Sequence, residues 1–149
     1  MTQYIYIASS MRLPKGSFGS NPLSFEKPNI FRDELDFTNV YFENNYDSKL
    51  KRRFSFSPHF SFNHQVAVGS SYIPLKYQLK GTVDEEKCLI ILYSYLDKAL
   101  QASGVVEYFT CLSGKEDLAI SKKQNIRWMD IKKPYDLVLE DREFWKITF

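Results

Sequence analysis

The sequence has little of what recognisable sites are built from. Two histidines, His59 and His64, and two cysteines, Cys88 and Cys111, are its whole stock of soft ligands and thiol nucleophiles. Neither CxxC nor HxxxH spacing occurs, and on a continuous strand the two histidines point to opposite faces. No metal site and no cofactor is therefore expected. The GxGxxG and GxxxxGK[ST] phosphate patterns are missing, as is the G-x-S-x-G nucleophile elbow. Six glycines and six prolines are too few for a low-complexity chain. A net charge of +2 argues against a nucleic-acid partner. No apolar run approaches the roughly 18 residues of a membrane span. The start, MTQYIYIASSMRLPKG, lacks the basic n-region of a signal peptide. With two thiols in apolar surroundings, a cytoplasmic protein with reduced cysteines is expected.

Aromatic residues are what the chain has in quantity: twelve Phe and ten Tyr, residues that favour strands. A length of 149 residues predicts one domain over 1–149, large enough to fold without staples. The most patterned stretch is Arg53–Val68. Phe54, Phe56, Phe60, Phe62, Val66 and Val68 take even positions, and polar residues take the odd ones. This period of two predicts either one strand interrupted at Pro58 or a hairpin through Ser57-Pro58-His59. Both readings keep the Phe rings on one face. Strands are also expected at Tyr4–Ala8, Phe37–Phe42 and Val105–Leu112. A terminal hairpin is expected from Tyr135–Leu139 and Phe144–Phe149. A short helix could occupy Asn29–Leu35. Residues 72–80 read as a short extended segment, and residues 115–123 as a helical turn or loop.

The strongest local signal lies at Thr82-Val83-Asp84-Glu85. Thr with Glu three residues later is a capping box, and Gly104 suits a helix C-terminus. Between them Cys88, Leu89, Leu92, Tyr95, Leu96, Ala99 and Leu100 follow helical spacing. The expected architecture is α+β: a mainly antiparallel sheet packed on one principal helix, about 84–103, with the even-numbered Phe face beneath it.

Few residues suggest function. Glu107 alternates with Val105, Phe109 and Cys111, so it shares a face with apolar groups; a buried carboxylate needs a partner or shifts its pKa. The 11–22 loop, marked by Pro14, Gly16, Gly19 and Pro22, carries Met11, Leu13 and Phe18, side chains of the kind that dock on other proteins. His59 sits at the expected turn. Lys49, Lys51, Arg52 and Arg53 beside the Phe stretch invite comparison with an RNA-binding sheet, but the RNP1 glycine is replaced by Arg53. The leading expectation is a small non-enzymatic interaction domain, of inhibitor or immunity type, binding another protein through a sheet edge or through Met11, Leu13, Phe18 and His59. The alternatives are a small-ligand site or enzyme using Glu107 and the 11–22 loop, and an RNA-binding sheet using the 49–53 run. No membrane partner is expected.

Overall fold

The computed structural model describes residues 3–14, 16–18, 22–24, 27–31, 40–44, 46–47, 52–53, 57–69 and 72–149. Within these ranges, the side chains of 16–18, 22–23, 27–31, 44, 46–47 and 52–53 fall outside the description. The strands are β1 (Gln3–Ser9), β2 (Gly16–Phe18), β3 (Pro22–Ser24), β4 (Lys27–Phe31), β5 (Val40–Asn44), β6 (Tyr46–Asp47), β7 (Arg52–Arg53), β8 (His64–Gly69), β9 (Val105–Leu112), β10 (Lys122–Arg127) and β11 (Glu143–Thr148). One long helix, α1, spans Val83–Ser103. Seven strands form the main sheet in the order β10-β11-β9-β1-β8-β5-β2; β3–β4 and β6–β7 are separate two-stranded ribbons. Every pairing in the main sheet is antiparallel except β10 with β11. The fold is α+β, a mostly antiparallel sheet with one principal helix.

The helix forms for the local reasons its sequence states. The Thr82 hydroxyl accepts the Glu85 amide, and the Glu85 carboxylate accepts the Thr82 amide in return. Such a cap stabilises a helix by about 1 kcal/mol. At the other end Gly104 adopts φ 78°, a left-handed turn that a side chain would strain, and its amide donates to the Leu100 carbonyl. Leu89, Leu92, Leu96 and Leu100 are fully buried. They meet Ile5, Ile7, Val66, Val68, Tyr108, Trp145 and Ile147 on one face of the sheet.

The register fixes what the other face carries. Tyr6 lies opposite Ala67 and Phe109, and Phe109 opposite Phe144. These residues, with Ala8 and Cys111, form a second buried cluster that Phe60 completes. The placement of Phe60 corrects the expected single Phe face under the helix. Val66 and Val68 do face α1, whereas Phe60 and Phe62 pack on the opposite side. Phe54 and Phe56 lie outside the described residues.

Residues 57–63 form neither a strand nor a hairpin arm. The chain turns at Pro58-His59 and stays irregular to Asn63. Pro58 has no N–H to offer a ladder. The buried Gln65 side chain takes the place of a neighbouring strand: its carbonyl accepts the Ser57 amide, and its amide group donates to the Ser57 and Phe62 carbonyls. The alternation of 57–63 is therefore that of a strap laid across the sheet.

Other boundaries also differ from expectation. The 11–22 loop contains β2, which pairs with β5, and the start of β3. Lys27–Phe31 is a strand, where the sequence allows a helix to begin; residues 32–39 lie outside the description. Lys76–Gln78 is a 3-10 turn in place of an extended segment, and residues 122–127, whose start reads as loop, are the edge strand β10. The terminal hairpin does not form. Pro134–Leu137 is a 3-10 turn, and the Asp136 carboxylate holds the amides of Lys132 and Lys133. Leu137, Val138 and Leu139 are spent on the helix-side core, and β11 inserts between β9 and β10.

Candidate binding surfaces

Glu107 and His59 come together on the strap-covered face, and both hold the strap. Glu107 is 4% exposed. One of its carboxylate oxygens accepts the amides of Ser61 (2.8 Å) and Phe62 (3.2 Å), and the other accepts the Ser61 hydroxyl (3.3 Å). An acceptor-only group is thereby matched by three donors, which answers the cost of burying it. A His59 ring nitrogen lies 2.6 Å from the Leu118 carbonyl, and the ring meets Phe109 edge-on at 5.4 Å. Phe60 fills the space between Phe109 and Phe144, with ring centroids at 6.3 and 5.6 Å.

A second carboxylate closes the same region. The Tyr6 hydroxyl donates to Glu116 at 2.7 Å, and the Gly114 amide donates to the same oxygen. The Ser57 hydroxyl donates to the Glu116 carbonyl, tying the strap to the 113–120 loop. Burial pushes the Tyr6 phenol upward, and its bond to Glu116 adds to the shift. The Cys111 thiol is pushed up to about 12, first by burial and then by the Glu116 charge. Cys111 thus stays a thiol at neutral pH and is a poor nucleophile. Cys88 lies in the helix-side cluster, so the whole sheet separates the two thiols, and neither is in a disulfide.

The expected interaction residues divide. Leu13 is buried in the helix-side core, so its side chain is unavailable to a partner. The Tyr95 hydroxyl donates to the carbonyl of the next residue, Pro14. These two anchors leave Met11 and Arg12 pointing outward. Phe18 lies on β2 opposite Val40, and its side chain is outside the described residues. Of the basic run, Arg52 and Arg53 form β7 against Tyr46 and Asp47; Lys49, Lys51 and all these side chains are likewise outside.

Sequence reasoning missed Met129 and Phe149. Ser9 is opposite Val106, Val105 opposite Thr148, and Thr148 opposite Arg127. Phe149 follows Thr148 directly, and Met11 and Met129 come two residues after Ser9 and Arg127, so all three leave the same end of the sheet. They are 51%, 59% and 58% exposed. Only the pairing order reveals this, because the three are far apart in the chain.

Two hollows bordered by described residues flank the sheet, and neither Glu107 nor His59 lines them. One, of about 120 Å³, is bordered by Leu112, Lys115, Leu118, Asp141 and Arg142. The other, of about 10 Å³ between β1 and Leu75, has room for at most one water. Among the described residues no group of three or more His, Cys, Asp or Glu could hold a metal ion, and no helix is long and apolar enough to cross a membrane. No protein-family model, curated protein or solved structure matches the chain.

Proposed function

We propose that this protein acts by binding another protein without catalysis, as an inhibitor or immunity-type protein does. The contact is the end of the sheet that carries Met11. The observation behind this reading is the convergence of Met11, Met129 and Phe149, each more than half exposed, on that end. Met and Phe are enriched where proteins dock, and Met adapts its shape to a partner at little cost. The acid–base alternative has less support. Both Glu107 oxygens are occupied by the strap, and Cys111 is held protonated.

Site-specific photocrosslinking in cells that make the protein tests this. A crosslinking amino acid at position 11 and one at position 129 are expected to capture the same partner. The control at Tyr77, exposed near the opposite end of α1, is expected to miss it. Met129→Asp is expected to weaken capture by the crosslinker at position 11, and Met11→Asp that at position 129, without lowering the melting temperature. Equal capture from all three positions, or none from 11 and 129, overturns the reading.

A further inference from the structure

Among the described residues the sheet ends at β10, which has one hydrogen-bonded neighbour there, β11. The outer side of β10 therefore offers the N–H and C=O groups of every second residue to an additional strand. Its side chains are unusual for a surface that could pair with anything. Lys123, Asn125 and Arg127 alternate along the strap-side face of β10, and all are exposed. Lys146 of β11 is exposed and lies directly opposite Asn125, between the two cations. The Lys123 ammonium rests 5.3 Å from the Phe144 ring centre, on that same face. The four residues thus make one basic patch along the rim.

Among the described residues little neutralises this patch: Lys123, Arg127 and Lys146 form no ion pair, and Lys122, on the other face of β10, reaches Glu140 at 4.0 Å. Glu107 stands opposite Lys146 in register, but both of its oxygens hold the strap. Lysines on an edge discourage a second copy from pairing there, because like charges meet. The same repulsion selects in favour of a strand of the opposite sign.

We propose that β10 takes up an extended acidic segment of the partner protein as an eighth strand. Carboxylates at alternate positions of that segment lie beside Lys123 and Arg127, while its backbone pairs with β10. The segment runs along an edge whose end leads into Met129, so charge and apolar contact adjoin. This inference rests on the partner-binding reading above and adds the partner's chemistry.

The test uses ten-residue peptides with Glu at alternate positions, the same peptides with Lys in place of Glu, and the acidic peptide broken by two prolines. Binding is followed by hydrogen exchange and NMR on the full chain at low salt. The acidic peptide is expected to bind at least tenfold more tightly than the Lys version and to protect the Lys122–Arg127 amides. The double variant Lys123→Glu with Arg127→Glu is expected to reverse that preference at unchanged melting temperature. Equal binding of the proline-broken peptide overturns strand addition, leaving charge attraction alone. So does tight binding of poly-U RNA to the patch with no amide protection by peptide, or self-association through β10. If these peptide results fail while crosslinks at positions 11 and 129 persist, the acidic-strand inference falls and the partner-binding reading stands. If the crosslinks are lost while the acidic peptide still protects β10, the Met11 end falls as the contact and strand addition stands.

Discussion

The two faces of the sheet are covered by different means. One lies under a 21-residue helix whose buried side chains are almost all apolar. The other lies under the 57–63 strap and the 113–120 loop, attached by Glu107, Glu116, Gln65 and His59 as well as by Phe60. A helix satisfies its own backbone and needs only an apolar stripe to dock. A strap has no internal ladder, so its amides must find acceptors on the surface it covers. That requirement explains why a carboxylate is buried on the same face of the sheet as Phe109, Cys111 and Phe144. Glu107 is expensive to bury alone, but here it supplies the acceptors that the strap lacks.

The sharpest way to break the helix-side layer is Leu96→Ala. Removing this fully buried side chain is expected to destabilise the fold by about 3–4 kcal/mol in urea unfolding, from lost transfer energy plus a cavity. On the strap side, Phe60→Ala is expected to cost about 3 kcal/mol. A loss below about 1 kcal/mol would mean that the strap is only loosely applied. Glu107→Ala strands the Ser61 and Phe62 amides and is expected to cost about 2 kcal/mol. The comparison is sharpened by hydrogen exchange: in this variant the amides of 57–63 should exchange faster while those of α1 keep their protection.

The smallest expected effect concerns Glu85 at the start of α1. Desolvation raises its pKa, but amide bonds from Thr82, Lys80 and Gly81 outweigh this and hold it below the usual carboxylate value. A depressed folded-state pKa means that the stabilisation is present above the unfolded value near 4.5 and is lost as pH falls through the folded one. Glu85→Gln should therefore lower stability at pH 7, and the gap from the unaltered protein should narrow as pH falls below about 4.5. A gap that stays constant with pH would remove the charge from this account.

What was legible in the sequence follows the same division. The helix was readable because Thr82, Glu85 and Gly104 act locally and the apolar spacing between them is regular. Strand β9 was readable from its own run of apolar and β-branched residues. The strap was misread because its alternation mimics a strand, while the group that prevents pairing, Gln65, acts from outside the segment. Strand β10, KKQNIR, has the polarity of a loop because only its Ile126 side packs on the core. Met11 was singled out from its loop, but Met129 and Phe149 had no local signal; strand order alone brings the three to one end of the sheet. Glu107 was singled out for sharing a face with apolar groups, and that placement holds. Its partners, two backbone amides and a hydroxyl, could not be foreseen while the strap was taken for a strand.

The position of the two cysteines has a practical consequence. Cys88 is sealed between the helix that carries it and the sheet, and Cys111 lies in the buried cluster on the opposite face. Each thiol is therefore a native clock for the opening of its own layer. An alkylating reagent added to the unmodified protein reads both clocks at once, since the modified peptides differ in mass. A ligand that grips only one layer would slow one clock and leave the other running.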